Sequence, residues 1–275
     1  MKELNAVSPA LNACGNCALS RPNVFLLLAT ITAQLASQLP AIAEEPVRVL
    51  ATGVFATTLA SLAGPFESAS GYKIEMSIAN AGEVAARIVA GEAADLVMTS
   101  SAGVKTLAKQ NALVSNEVVI GQMRLGVAVP SGATMPDLTS AETFRTLLLS
   151  AGTVAYIDPS GGGTSGPFFE QMFVSLGVAD AVHAKAVLCK TGSEIVNAVA
   201  SGRAVIGMTQ ASELVGASGV AFAGYLPNGL NLTTVYAASI AARSTNPKGA
   251  SAFLEFVAGP IGSAHLSRAG WDIDR

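Results

Sequence analysis

The 275-residue sequence is poor in cysteine and histidine, with three cysteines and two histidines in all. Cys14 and Cys17 lie in an N-terminal segment that we expect to be removed, which leaves only Cys189. One cysteine cannot form an internal disulfide. One thiol together with His183 and His265 also offers too few ligands for a zinc or haem site. We therefore expect no disulfide, no metal and no other cofactor.

Charged residues are scarce as well. They make up 13% of the sequence against 51% apolar residues, and 19 acidic residues outnumber 16 basic ones. This composition excludes a disordered chain, which would be rich in charge and poor in apolar residues. The pI of about 5.4 and the lack of a basic cluster argue against nucleic acid as a partner. No run of about 18 apolar residues occurs, so we predict no membrane-spanning helix.

An export signal is predicted at residues 1–43. The basic residues Lys2 and Arg21 precede an apolar stretch, which is followed by Ala41-Ile42-Ala43. Small residues at the first and third of these positions fit the pattern of a signal-peptide cleavage site. We expect cleavage after Ala43 and a periplasmic location. A buried helix is the alternative interpretation, and the long segment before the apolar stretch leaves the true start codon open.

From Val47 onward, short apolar runs alternate with stretches of helical periodicity. The first series reads βαβαβα, which is typical of a parallel sheet with helical crossovers. A second series begins at Thr139, and two closing helices follow Pro247 and Pro260. We therefore predict an α/β protein with two lobes.

The chain is expected to cross between the lobes through strands, because no low-complexity linker separates the two series. We place the crossings near Gly126–Ser131 and Thr234–Ala238. This assigns residues 44–127 and 236–275 to lobe one and residues 128–235 to lobe two.

The segment 158–166 is glycine-rich, follows a predicted strand and opens a predicted helix. Glycines let a backbone approach a ligand closely, and a helix N-terminus adds partial positive charge. These features predict an anion-binding cradle, although a glycine-rich turn with a Ser/Thr cap is the simpler alternative. The candidate ligand contacts are Ser160, Gly163, Thr164, Ser165 and Gly166.

Three known phosphate or nucleophile motifs do not fit this segment. A dinucleotide site needs an acidic residue about 20 positions on, where Leu188-Cys189-Lys190 stands. A P-loop needs a lysine that the segment lacks. A nucleophile elbow needs a glycine where Pro167 stands.

Other predicted strand ends carry small polar residues. Each is a common cap or turn when taken singly, but together they place donors at the carboxyl edge of each sheet. The candidates are Thr52 and Gly53 after the first strand, Asn80 and Ala81 after the second, Thr99 and Ser100 after the third, and Gln210 after the strand that ends near Met208. Arg124 is the one guanidinium that we place near the cleft.

Five segments together resemble the periplasmic molybdate-binding protein family of ABC importers. They are Leu50-Ala51-Thr52-Gly53, Ser77–Gly82, Gly91–Ser100, Asp158-Pro159-Ser160 and Gly202–Met208, with the C-terminal Gly270-Trp271 similar too. The resemblance covers residues 46–273. It implies a type II periplasmic binding protein fold, in which two lobes, each a mixed sheet flanked by helices, are joined by a double crossover hinge. It also implies a monomer, a small anionic ligand and an ABC transporter permease as partner.

The chain departs from that family at three ligand positions. Family members carry serines where Gly53 and Asn80-Ala81 stand, and a tyrosine where Gln210 stands. We therefore expect molybdate to bind poorly. The glycine-rich segment together with Gln210-Ala211-Ser212-Glu213 is similar to a divergent branch that includes aconitate isomerase.

Two functions stay open at this point. The first is a substrate-binding protein that captures a small oxyanion or organic acid for an ABC importer. The alternative is a cofactor-free isomerase of a tricarboxylate such as aconitate, which would need a base and an acid positioned on one substrate. Glu213 is the favoured catalytic residue for that case, with Asp158 and Glu83 as further candidates.

Overall fold

A computed structural model describes residues 45–114, 116–161 and 163–273 of the chain. The predicted signal segment, residues 1–43, and its cleavage site after Ala43 lie outside these residues. Within the described ranges, no helix is both long enough and apolar enough to cross a bilayer.

The described residues form nine strands and ten α-helices. The strands are β1 (Val47–Thr52), β2 (Ile74–Ala79), β3 (Leu96–Ser100), β4 (Val118–Pro130), β5 (Val154–Ile157), β6 (Ala186–Cys189), β7 (Ile206–Gln210), β8 (Val220–Tyr225) and β9 (Thr233–Ile240). The helices are α1 (Ala56–Ser70), α2 (Ala81–Val89), α3 (Ser101–Lys109), α4 (Ala141–Ser150), α5 (Ser165–Ser175), α6 (Ala179–His183), α7 (Gly192–Ala200), α8 (Ala211–Leu214), α9 (Pro247–Ala258) and α10 (Pro260–Arg268). Short 3₁₀ turns occupy Gly53–Phe55 and Pro159–Gly161.

Two mixed sheets share the long strand β4. Sheet one has the strand order β2-β1-β3-β9-β4, in which β1, β2 and β3 are parallel and β9 is antiparallel to both of its neighbours. Sheet two has the order β4-β7-β5-β6, with β8 paired to β4. Its strands β5, β6 and β7 are parallel to one another. This arrangement agrees with the predicted two-lobed α/β architecture.

Both sheets are covered by helices on their two faces. Along β1, Val49 packs in the cluster that includes α1 and α9, whereas the next residue, Leu50, packs against α2 and α3. In β5, Tyr156 faces the aromatic side chains of α4 and α5, and Ala155 faces α7. Successive side chains of a strand point to opposite faces, so strands buried on both faces are continuous apolar runs. That is why these strands were predictable from short apolar segments.

Strand β4 carries the first crossing between the sheets. Arg124 pairs with Thr233 in sheet one, and the next residue, Leu125, pairs with Gln210 in sheet two. The crossing therefore lies just before the segment Gly126–Ser131 that the sequence indicated.

The second crossing runs through residues 226–232, between β8 in sheet two and β9 in sheet one. The sequence placed it at 234–238, which lies inside β9. We keep the lobe limits 44–127 with 236–275 and 128–235 as predictions, because a hinge is defined by the movement between an open and a closed form.

Candidate ligand-binding site

The carboxyl ends of six strands meet at one cleft between the two sheets. Strands β1, β2 and β3 contribute from sheet one, and β5, β6 and β7 from sheet two. The cleft has an empty volume of about 540 Å³ that is open to solvent. In open α/β sheets this is the edge at which ligands bind.

Four helices begin at the cleft. The side chains of Asn80, Ser100 and Thr191 cap α2, α3 and α7 by accepting backbone N–H hydrogen bonds of 2.8–3.2 Å. Helix α5 begins at Ser165 in the same place. Helix N-termini carry partial positive charge and N–H groups without intrahelical partners. The cleft can therefore attract an anion without a cluster of basic side chains.

Most of the residues predicted from the sequence line this cleft. They are Thr52, Gly53, Asn80, Ala81 and Ser100 on the wall from sheet one, and Gly163, Thr164, Ser165, Gln210 and Glu213 on the wall from sheet two. Their contact with a ligand stays a prediction.

Arg124 and Thr99 are not among the lining residues. The exposed guanidinium of Arg124 lies 3.8 Å from the centre of the Tyr225 ring, with which it makes a cation–π contact. Thr99 is buried beside Gly103 in the first turn of α3. Both side chains therefore pack against other residues of the protein and lie outside the lining of the cleft.

Ser160 and Gly166 are also outside the lining. The Ser160 hydroxyl donates a 2.7 Å hydrogen bond to the Asp158 carboxylate, and this bond lowers the pKa of Asp158. Gly166 packs closely on the preceding turn, because a Cβ there would lie 2.8 Å from the Cα of Pro159. This glycine allows close backbone packing and does not face the cleft.

Eight lining residues were missed in the sequence; Val54, Ala79 and Ile157 are apolar or small, and the other five are polar or glycine. Those five are Lys190, Thr191 and Gly192 after β6, Thr209 in β7, and Tyr236 in β9. Among the described residues of the lining, Lys190 is the one basic side chain. A local signal existed, since Thr191 followed by Glu194 is a capping-box pattern that starts the helix at Gly192.

The half-buried carboxyl group of Glu213 projects to the cleft from α8. Thr209 donates a 2.6 Å hydrogen bond to its Oε2, and the backbone N–H groups of Gln210 and Gly192 also donate to it. Burial raises the pKa of Glu213, although these three hydrogen bonds oppose the shift. Gly53 and Gly192 provide the space, because a Cβ at either position would collide with the carboxyl group.

Direct contacts join the two walls of the cleft. Ser212 of α8 donates a 2.8 Å hydrogen bond to the carbonyl oxygen of Val54, which belongs to the other wall. The hydroxyl of Tyr236, on β9, has Thr164 of the opposite wall and Thr234 as hydrogen-bond partners. Burial and the nearby Glu213 carboxylate raise the pKa of Tyr236, so its hydroxyl keeps its proton at neutral pH.

The family comparison extends over nearly all of the described chain. The sequence model of the bacterial extracellular solute-binding proteins matches residues 47–272. A curated relative, the aconitate isomerase of a Pseudomonas species, is 29% identical over 249 residues, which cover 86% of this chain and 93% of that protein.

Solved structures with very low sequence identity share the fold. The periplasmic molybdate-binding protein of Azotobacter vinelandii superposes with a TM-score of 0.70 at 22% identity, over 83% of this chain and 100% of that one. The sulfate-binding protein SubI of Mycobacterium tuberculosis H37Rv superposes with a TM-score of 0.68 at 15% identity, over 84% and 88%. At these identities the likeness shows the fold alone, and it confirms the predicted periplasmic-binding-protein architecture.

Proposed function

The chain belongs to the bacterial extracellular solute-binding protein family, and from this premise we propose that it captures a small organic acid between its two lobes in the periplasm. The observation that carries the proposal is the convergence of six strand ends and four helix N-termini on one cleft. Such a cleft binds an anion mainly through backbone N–H groups. Delivery of the acid to the membrane permease of an ABC importer completes the proposed role.

Two features favour a carboxylate over a tetrahedral metal oxyanion. Gly53 and Gln210 stand where the molybdate-binding relatives supply hydroxyl donors, so a compact oxyanion would lose charge-assisted hydrogen bonds. The Glu213 carboxyl group also lines the cleft, where a compact dianion would lie beside a like charge. An extended acid can direct its carboxylates to separate helix N-termini and keep its carbon skeleton near Glu213.

A ligand screen tests this proposal. Thermal-shift measurements followed by calorimetric titration compare succinate, malate, citrate and aconitate with molybdate, tungstate and sulfate. We expect a saturable rise in melting temperature with at least one carboxylate, because a ligand stabilises the folded state by RT ln(1 + [L]/Kd). Nanomolar binding of molybdate without a response to any carboxylate would contradict the proposal.

A variant that introduces a negative charge checks that binding occurs in the cleft. Thr164→Glu places a negative charge at the lining and is expected to abolish binding of the acid. Thr106→Glu adds the same charge on the exposed side of α3 and serves as the matched control. Equal losses in the two variants would mean that the acid binds elsewhere or through general electrostatics.

Export and closure belong to the same proposal. The exported protein is expected to begin at Glu44, which N-terminal sequencing can determine. Small-angle scattering should give a smaller radius of gyration at saturating ligand, since hinged lobes close around what they bind. An unchanged radius would argue for a preformed and rigid cleft.

An isomerase is the second candidate, and Glu213 is the observation that favours it. A carboxyl group with a raised pKa is a stronger base than an ordinary carboxylate once it is ionised. Isomerisation of an aconitate-like acid removes a proton from one allylic carbon and returns a proton to the carbon at the other end of the double bond. Helix N-termini at the cleft would stabilise the charge that develops on the adjacent carboxylate. The 29% identical aconitate isomerase makes this chemistry a specific alternative.

Proton exchange separates the two candidates. The purified protein is incubated with trans-aconitate in deuterated water, and NMR follows the formation of cis-aconitate and the incorporation of deuterium. An isomerase shows turnover that Glu213→Gln abolishes with little change in affinity, while Glu142→Gln, on the exposed surface of α4, has no effect. Tight binding without turnover or exchange would rule out the isomerase.

A further inference from the structure

The side-chain amide of Gln210 is buried and has no hydrogen-bond partner among the residues that the structure describes. The residue is 5% exposed and lines the cleft, and neither its Nε2 nor its Oε1 is bonded within the described residues. Its place before α8 does not account for the amide, since the side chain makes no capping bond there. The hydroxyl of Thr52, which is 6% exposed on the opposite wall, is unpartnered as well.

A buried polar group without a partner destabilises the folded protein, and native structures hold few of them. Methionine would fill a similar space at this position without that penalty. Both residues line the same cleft from opposite walls, and neither unpartnered group is hydrogen-bonded to any residue that the structure describes. Their partners are therefore expected to come from a bound molecule.

An amide must accept as well as donate. Whichever way round the Gln210 amide stands, one acceptor and one donor group are unpaired. Helix N–H groups, the Thr52 hydroxyl and Lys190 supply donors for the anionic oxygens of a ligand. A fully ionised molecule without O–H groups would leave the oxygen of Gln210 unpaired.

We infer that the ligand carries an O–H donor beside its carboxylates and presents it to the side-chain oxygen of Gln210. This inference rests on the proposed function, because it takes an organic acid as the ligand. The O–H belongs either to a hydroxy acid or to a carboxyl group that keeps its proton when bound. In both cases the amide N–H donates back to a neighbouring oxygen of the ligand.

Matched pairs of acids test the inference by calorimetric titration. Malate and citrate each carry a hydroxyl group that succinate and tricarballylate lack, while the number of carboxylates within each pair is the same. The proteins compared are the wild type, Gln210→Met and a control, Gln171→Met. Gln171 is exposed on α5 and lies outside the lining of the cleft.

With a hydroxy acid as the ligand class, the hydroxylated member of a pair binds about tenfold or more tightly than its partner. Gln210→Met brings this ratio close to one, mainly by weakening the hydroxy acid, and Gln171→Met leaves the ratio unchanged. The melting temperature of ligand-free Gln210→Met should equal or exceed that of the wild type, because the unpaired amide is gone. This readout separates a loss of recognition from a loss of folding.

If the O–H belongs instead to a ligand carboxyl group that keeps its proton when bound, the two members of a pair bind with similar affinity. That affinity rises as the pH falls through the last carboxyl pKa of the ligand. Gln210→Met then removes that rise. Glu213, Lys190 and Tyr236 are the ionisable side chains that line the same cleft, so the comparison is repeated in a Glu213→Gln background.

The remaining outcomes overturn the inference. Equal affinities within each pair, with the same pH dependence in the wild type and in Gln210→Met, refute the donor to Gln210 and leave the proposed function standing. If none of the four acids binds, the inference fails, and the proposed function then depends on the wider ligand screen described above.

Discussion

The side chain of Asn231 forms hydrogen bonds with both backbone polar groups of Leu125, the residue at which β4 passes from one sheet to the other. The Leu125 N–H donates to Asn231 Oδ1 at 2.9 Å, and Asn231 Nδ2 donates to the carbonyl oxygens of Leu125 and Leu226 at 3.2 and 3.1 Å. Asn231 lies in the second crossing, so one amide ties the two crossing segments together. These side-chain hydrogen bonds therefore hold together the two segments that cross between the sheets.

Asn231→Ala should destabilise the protein by about 1–3 kcal/mol, because the buried N–H of Leu125 loses its side-chain acceptor. Urea denaturation of the ligand-free protein measures the change. Asn197→Ala, on the exposed face of α7, is the control and should change stability by no more than about 0.5 kcal/mol. A variant as stable as the wild type would show that water replaces the Asn231 amide fully.

Ionisation of Glu213 should make the ligand-free protein less stable as the pH rises. Burial raises the pKa of this carboxyl above the value of 4.5 that it has when exposed. The folded state therefore holds a proton that the unfolded state has lost, and the stability due to that proton disappears as the pH rises through the folded pKa. The melting temperature of Glu213→Gln relative to wild type should increase over this range.

Glu213→Gln is a suitable reference for this pH comparison, because glutamine fits the space of glutamate and its side-chain oxygen can still accept hydrogen bonds from Thr209 and Gly192. Below about pH 4.5 the two proteins should melt at similar temperatures, because Glu213 is then neutral in both states. A constant difference at all pH values would mean that Glu213 does not titrate differently in the folded protein.

Lys190 should contribute to the affinity for acids with two or more carboxylates. It is the basic residue of the lining, and its charge also helps to lower the pKa of Asp158. Because the side chain is exposed, we expect Lys190→Gln to weaken binding of a dicarboxylate only about three- to tenfold, with a smaller effect at high salt. Lys185→Gln, whose ammonium group bonds the carbonyl oxygen of Leu149 on the surface, is the control. Equal losses in the two variants would assign the effect to net charge.

Gly207→Ala should destabilise the protein by about 1–3 kcal/mol through overpacking. A Cβ at this position in β7 would lie 2.6 Å from Ile195 and 2.7 Å from Val199 on α7. Both neighbours are β-branched, so their side chains rotate little. Gly152→Ala is the control, since a Cβ there meets no atom within 4 Å. Thermal denaturation of the two variants measures the difference, and similar melting temperatures would mean that α7 shifts without penalty.

The sequence predicted the elements better than their limits. The apolar run 124–130 predicts a strand, but β4 begins earlier, at Val118. No strand was predicted at β8, because its apolar residues show no alternation with polar ones. The glycine-rich segment predicts that the following helix starts at Gly163, whereas α5 begins at Ser165. Such limits depend on which hydrogen bonds a neighbouring strand or cap supplies, and that information is not contained in local periodicity.

The amino-acid sequence by itself determined the α/β alternation, the two lobes and the polar strand ends that line the cleft. These features are local, because each strand end and helix cap is encoded within a few residues. Only the tertiary structure decided that Lys190 and Tyr236 reach the cleft while Arg124 stacks on Tyr225. It also decided that the Gln210 amide has no partner within the described part of the chain. The physical reason is that the lining is assembled from strands far apart in the chain, so which groups face each other depends on strand order and on the crossing at Leu125.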